Sequence, residues 1–479
     1  MKLSALLVTT LLLAGCTVGP DYVRPTTQAP DRWRIDYPKA AEVADTKWWE
    51  RFGDPVLNDL IESALRENRD VRIAAARIEQ AAGAAAATRS QLFPQVGYGA
   101  DVTRARASRE GFPAIPSPVD NQFTLYQAQL GAAWQLDLFG RVRRQSEAAQ
   151  AQVYATEQAK RGVVLTVVTN VASSYIGLRA LDRQLEIARV TSANFGETAR
   201  IFKLRFDHGL VSQTEVSQID SQYQQALASI PALGQRIAAQ ENLISILLGR
   251  NPGPIARGKT IDQLVAPDIP ADLPSTLLLR RPDILQAEQN LVAANASIGA
   301  AKALYFPYIS LTAALGSVST AFGNFLTGPA MTWGLIAGLT GPIFTGGAIA
   351  GQVQSAEGGR EAALNGYQLT ILNAFRETDD ALVGTQNRLE ESARQTVRVA
   401  SLREAARLSR LRFDAGLASY VEVLVAENEL FAAEIALVGT RADRFVQVIG
   451  VYRAMGGGWV DLADAKTPRP LGVAATRAN

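Results

Sequence analysis

Leu204-Arg205-Phe206-Asp207-His208-Gly209-Leu210 returns 207 residues later as Leu411-Arg412-Phe413-Asp414-Ala415-Gly416-Leu417. The echo extends outward. Ser212, Glu215 and Val216 recur as Ser419, Glu422 and Val423 at the same spacing, while Asp70 and Phe93-Pro94 recur as Asp283 and Phe306-Pro307 at a spacing of 213. Two halves therefore share one plan with small insertions, and pseudosymmetric architecture is expected rather than a lone catalytic cleft.

The repeated stretch itself reads as a helical hairpin. Gly209 suits the left-handed position just past a helix end, with Leu210 placed for the accompanying apolar contact. Ser212-Gln213-Thr214-Glu215 then reads as a capping box opening the next helix. Gly416, Leu417 and Ser419-Tyr420-Val421-Glu422 repeat both devices. Upstream, a stretch without proline runs from Arg141 to Phe206, and Val164, Val168, Val171, Tyr175 and Leu178 step by 4, 3, 4 and 3, the spacing of a coiled coil. Leu181, Leu185 and Ala188 continue after one irregular step, which changes the local supercoil. Each half is read as helix, strand, strand, long helix, helix. The first half has helices over Leu57–Ser90, Arg141–Phe206 and Val211–Leu248. The second has them over Pro282–Leu304, Gly347–Phe413 and Tyr420–Met455. The long helix would span about 100 Å at 1.5 Å per residue.

Four segments alternate with period two: Gln95–Thr103, Tyr126–Leu138, Tyr308–Gly316 and Met331–Thr340. Val96, Tyr98, Ala100 and Val102 share one face of the first, and Met331, Trp333, Leu335, Ala337 and Leu339 one face of the last. Alternation over about ten residues fits a transmembrane β-strand, apolar toward lipid and polar toward a lumen. It also fits a half-buried soluble sheet. Four strands cannot close a pore, and open edges cannot face lipid, so several chains must share one barrel. Three chains would give twelve strands and two would give eight. Trp134 and Trp333 suit an aromatic girdle; Trp48, Trp49 and Trp459 suit a core or an interface.

The amino terminus reads as an export signal. Lys2 and the apolar run Leu3–Leu13 lead to Leu13-Ala14-Gly15-Cys16, too short to span a bilayer. Cys16 is the sole cysteine of 479 residues and stands at the position of a lipobox cysteine, so residues 1–15 are expected to be removed and Cys16 to carry diacylglycerol and an N-acyl chain. Several acyl chains anchor a protein stably. Thr17, in place of aspartate, fits sorting to an outer membrane. A single cysteine excludes a disulfide framework. With 48 basic and 46 acidic residues, the formal charge of +2 is too balanced for nucleic-acid binding. No later stretch approaches 18 uninterrupted apolar residues, so no membrane-spanning helix is expected. The resulting divisions are a signal at 1–15, a lipidated segment at 16–56, a first repeat at 57–250, a Pro-rich linker at 251–278, a second repeat at 279–459 and a tail at 460–479.

Taken together, these motifs resemble outer-membrane efflux proteins of the TolC/OprM type, in the NodT-like lipoprotein branch. The carriers are Cys16-Thr17-Val18-Gly19-Pro20-Asp21-Tyr22, Trp48-Trp49 with Phe52, Asp54-Pro55 and Leu57, and then Leu60-Ile61, Ala64-Leu65 and Asn68. Leu279-Arg280-Arg281-Pro282-Asp283, Pro342-Ile343-Phe344 and both hairpin turns complete the set. The resemblance implies an α+β homotrimer, internally duplicated, whose shared twelve-stranded outer-membrane barrel continues into a helical periplasmic tunnel. It implies a passive exit duct of a tripartite efflux or secretion system, served by a periplasmic adaptor and an inner-membrane pump of the RND class. Carried onto this chain, the tunnel tip is Arg205–Ser212 and Arg412–Ser419. Gly209, Leu210, Gly416 and Leu417 are the candidates for adaptor docking. Asp207, Asp414, Arg205 and Arg412 are the candidates for a charged gate, with solvated turn residues as the plainer reading. The competing reading is a periplasm-spanning envelope lipoprotein without transport.

No enzyme, cofactor or metal is expected. Gly253-Pro254-Ile255-Ala256-Arg257-Gly258-Lys259-Thr260 matches the phosphate-loop pattern GxxxxGK[ST], but that loop should follow a strand and open a helix. Here it follows a helix and precedes prolines. His208, the only histidine, becomes Ala415 in the second turn and reads as an exposed turn residue.

Overall fold

A computed structural model of the chain describes residues 17–30, 32–35, 46–111, 116–269, 278–456 and 459–468. The signal segment, Cys16, part of the linker and the end of the tail lie outside the described residues. The helices are α1 (Pro55–Glu67), α2 (Arg69–Ser90), α3 (Arg141–Asp207), α4 (Gln213–Leu247), α5 (Pro282–Lys302), α6 (Ala348–Asp414), α7 (Tyr420–Met455) and α8 (Trp459–Asp464). The strands are β1 (Gln95–Arg106), β2 (Gln122–Leu136), β3 (Tyr308–Ser319) and β4 (Met331–Thr340). The chain divides into two compact units, and each repeat contributes to both. One unit holds Met1–Thr26, Glu79–Ala155 and Ala287–Tyr367; the other holds Thr27–Ile78, Thr156–Gln286 and Gln368–Asn479.

The first unit is built on a four-stranded antiparallel sheet of order β1-β2-β3-β4. Its register keeps the alternating faces aligned: Tyr98 lies opposite Leu130, Leu130 opposite Leu315, and Leu315 opposite Trp333. These apolar side chains are exposed along that row, with Trp333 at 83%, as a lipid-facing surface requires. Trp333 stands near the start of β4. Trp134 stands near the end of β2 and donates its Nε1–H to Leu92 O at 2.9 Å. β1 and β4 are the sheet's edges.

The segment that follows Cys16 is strapped onto this unit. Val18 N donates to Phe139 O at 3.2 Å, Asn295 Nδ2 to Pro20 O at 2.9 Å, and Arg144 to Asp21 at 2.7 Å. Arg24 forks onto the buried Glu288, both bonds at 2.5 Å. Gly19, at φ +102°, packs so closely that a Cβ would strike the backbone of Gly299, an approach only glycine allows.

The second unit is helical. Trp48, Trp49, Phe52, Tyr452 and Trp459 are fully buried or nearly so, with Trp48 stacked on Tyr452 at 5.2 Å. The tryptophans left open between core and interface are therefore core. Val164, Val168, Val171, Tyr175 and Leu178 of the coiled-coil stripe are all buried in the same cluster. By length and composition α3 contains an 18-residue window apolar enough to cross a membrane, and 67% of that window is buried. The expectation of no such helix rested on uninterrupted runs; a core helix reaches the same mean hydropathy with polar residues interspersed.

One helix of the sequence reading is two. The span Leu57–Ser90 breaks at Asn68, which turns to ψ 133°. Its side chain accepts from Val71 N at 3.1 Å, capping α2, and donates to Leu247 O at 2.8 Å. The second repeat places Arg281 at the equivalent position, where it donates to Ala454 O at 2.9 Å. Leu247 and Ala454 are themselves equivalent, 207 residues apart. Gly249 and Gly456, also 207 apart, both close their helices in the left-handed region, at φ +72° and +61°. A Cβ on Gly249 would strike Glu67 O, and one on Gly456 would strike Arg281. Each repeat thus ties the end of its returning helix, α4 or α7, back to the start of an earlier helix of the same repeat, α2 or α5, by one device.

Candidate functional site

The candidate residues lie at the two hairpin turns, in the second unit. Both turns close in the Schellman geometry. Leu210 N donates to Arg205 O at 2.9 Å and Gly209 N to Phe206 O at 2.8 Å; Leu417 N donates to Arg412 O at 2.8 Å and Gly416 N to Phe413 O at 2.9 Å. The glycines stand at φ +72° and +69°, which L-residues rarely adopt. Each turn presents one leucine outward: Leu210 is 73% exposed and Leu417 72%.

An aromatic cluster packs behind the turns. Phe202 lies 4.4 Å from Tyr420 and 6.1 Å from Phe413, ring to ring, and Phe413 lies 5.0 Å from Tyr420. Ile219, Val423 and Leu424 complete the buried set, so residues of both hairpins share one core. Arg205 sits over this cluster, 5.6 Å from Phe202 and 5.9 Å from Phe413, and Arg410 sits 5.8 Å from the Tyr420 ring. These are cation–π distances.

The charged candidates are therefore engaged differently. Arg205 faces rings. Arg412 pairs with Glu422 at 3.0 Å. Asp207 stands 3.8 Å from Lys203, and Asp414 makes no ion pair within the chain among the described residues. His208 Nδ1 approaches Leu204 O at 2.8 Å on an exposed turn. The first capping box forms as expected, Glu215 N on Ser212 Oγ and Ser212 N on Glu215. The second does not: Ser419 has no side-chain cap bond, because Glu422 is drawn to Arg412. Sequence alone hid Glu427, one turn further along α7. Burial pushes its carboxyl above the ordinary value, and Arg410 at 3.6 Å partly opposes that. On the first hairpin a groove of about 470 Å³ is lined by Gly196, Arg200, Lys203, Val216 and Tyr223.

The phosphate-loop look-alike is a strap. Gly258 N donates to Tyr175 Oη and Lys259 N to Asp54 Oδ2, while Arg179 Nε donates to Lys259 O. Asp54 is fully buried and also accepts from Val56 N and Tyr175 Oη. The amides a phosphate loop would offer to an anion are spent on the protein itself. Among the described residues no three His, Cys, Asp or Glu groups gather as a metal site.

An open-edged sheet with a lipid-type face, in a chain with duplicated helical hairpins, defines a channel-forming outer-membrane protein. The family described as outer membrane efflux protein matches residues 60–250 and 273–457, and this chain belongs to it. The solvent efflux pump outer membrane protein SrpC of Pseudomonas putida is 32% identical over 94% of this chain and 97% of its own length. The cation efflux system protein CusC of Escherichia coli is 33% identical over 94% and 97%. The open-state MtrE outer membrane channel of Neisseria gonorrhoeae superposes with a TM-score of 0.83 at 28% identity, covering 92% of this chain and 98% of that one. The fold class is the expected one, with four strands per chain in a twelve-stranded barrel shared by three chains and mostly helical structure besides. The protein is an outer-membrane exit duct of an efflux system, which sets aside the reading as a spacer without transport.

Proposed function

We propose that the duct works in a tripartite assembly, docking a periplasmic adaptor through its two hairpin turns and receiving cargo from an inner-membrane pump of the RND class. The observation that carries this reading is the pair Leu210 and Leu417, apolar side chains held outward at equivalent places by two glycine turns of one geometry. An exposed leucine on a rigid turn suits a protein partner. Asp207 and Asp414 are the gate candidates, since among the described residues neither is held by an arginine of its own chain; Arg205 and Arg412 act by fixing the turn against the aromatic cluster and α7. Cys16 carries the lipid anchor, and the duct has no catalytic step or cofactor of its own. SrpC and CusC, named for solvents and for cations, stand equally near in identity, so cargo choice resides in the pump.

Leu210→Asp with Leu417→Asp in one chain tests the docking. Efflux measured by accumulation of a fluorescent pump substrate should fall at least tenfold while the purified trimer stays intact. Normal efflux in that variant would remove the turns from docking.

A further inference from the structure

Resting on the shared barrel, we infer the residue pairing at the seam where β4 of one copy meets β1 of the next, and an aromatic clasp that closes it. The template lies inside the chain. β2 and β3 are neighbours, with Leu136 opposite Ile309 and Trp134 opposite Leu311. Beyond the strand ends the same register brings Phe139 against Phe306, stacked at 4.6 Å with planes 19° apart.

Both partners have repeat counterparts. Phe306-Pro307, leading into β3, answers Phe93-Pro94, leading into β1. Leu138-Phe139, between β2 and its long helix, answers Ile343-Phe344, between β4 and its long helix, at a spacing of 205. The β2–β3 contact joins the first repeat to the second. The β4–β1 seam joins the second repeat of one copy to the first repeat of another, so it is the same contact made between copies. The side chains that would meet there are bare within one chain: Phe93 is 59% exposed, Ile343 fully exposed and Phe344 90% exposed.

Transferring the template places Phe344 against Phe93 of the next copy. It then sets Thr340 opposite Gly97, Leu339 opposite Tyr98, Ala337 opposite Ala100, Leu335 opposite Val102, Trp333 opposite Arg104 and Met331 opposite Arg106. Two features not used in the transfer agree with it. First, Met331 opens β4 and Arg106 ends β1, so the whole of β4 is paired and no strand end overhangs on that side. Second, side-chain direction matches. The exposed apolar face holds Tyr98 and Val102 on β1 and Trp333, Leu335 and Leu339 on β4. The inferred pairs keep this face on one side, joining Leu339 to Tyr98 and Leu335 to Val102 and setting Trp333 and Met331 beside Arg104 and Arg106, whereas a slip of one residue would turn the whole apolar face of β4 to the other side. A ring stack of this kind contributes beyond its buried area, at the point where two edges would otherwise be open.

Ala100→Cys with Ala337→Cys in one chain tests the register. Directly opposite residues in antiparallel strands have Cα separations of about 4.5–5.5 Å, within disulfide reach. Mild oxidation of the purified protein should give a dimer and trimer ladder on non-reducing gels, absent from either single variant. Ala337→Cys paired with Tyr98→Cys or with Val102→Cys should cross-link at least fivefold more slowly. Faster linking through either of those, or no linking by the 100/337 pair in a protein that still runs as a trimer, would overturn the register. A chain that stays monomeric removes the shared barrel itself, and the seam with it. Phe93→Ala, Phe344→Ala and the double variant read the clasp. The trimer should fall apart at lower temperature in each single, with the double no worse than the worse single; additive losses would overturn the stacking.

Discussion

The two hairpin turns carry one motif and stabilise it in two ways. In the first, Ser212 and Glu215 cap α4 reciprocally, and Arg205 lies over Phe202 and Phe413. In the second, Ser419 caps nothing and Glu422 binds Arg412. The difference traces to one residue. Phe202 answers Ser409 in the second repeat, so Arg412 has no ring on its own helix at the place where Arg205 has one, and it pairs with the carboxylate of Glu422 instead. That carboxylate is the glutamate a capping box needs. A local motif is therefore conditional on the charges within reach.

The comparison can be broken most severely at Tyr420, which contacts rings from both hairpins. Tyr420→Ala removes a buried ring and should cost about 3 kcal/mol of local stability. Hydrogen exchange at amides flanking both turns reads this as lost protection; loss confined to the second turn would mean that the cluster does not couple them. A smaller effect separates the caps. Ser212→Ala should cost about 1 kcal/mol in the exchange of the first turn of α4, and Ser419→Ala close to nothing in α7. Equal losses would show that the second box forms in solution.

The smallest effect is one of pH. Glu427 has its carboxyl raised by burial, and its counterpart Asp220 is exposed. A raised carboxyl binds its proton more tightly in the folded state, so its contribution falls as pH rises from the ordinary glutamate value of 4.5 through the higher folded value. Protection of the second tip should thus increase on mild acidification through that window. Glu427→Gln should flatten the response. An unchanged slope in the variant would assign the response to other groups.

Much of this fold was legible because repetition and periodicity are local. α3 ends at Asp207 and α6 at Asp414, one residue beyond the expected Phe206 and Phe413, and β4 spans the expected Met331–Thr340. What escaped was set by distant partners. The apolar rhythm of Leu57, Leu60, Ile61, Ala64 and Leu65 runs into Asn68 without a break signal, and the partner that fixes Asn68 outside the helix is a carbonyl at Leu247. Arg281 reads as a motif residue, but its bonds to Asp283, Glu377 and Ala454 gather three parts of the chain. Arg205 and Arg412 look identical in sequence, and only the packed rings and α7 distinguish them.

The connector between the repeats has a consequence for how such a chain can be rearranged. Ile255 and Ile261 are buried, and the amides of Gly258 and Lys259 are held by Tyr175 and Asp54. Its described part contributes those side chains to the core, although it joins two copies of one plan. Opening the gene there would not release two self-sufficient halves, and a circular permutant with its ends at Gly258 would lose bonds that position α1 and α3. The exposed stretch from Thr320 to Asn324, between β3 and β4, lies outside any core and is the place for new termini.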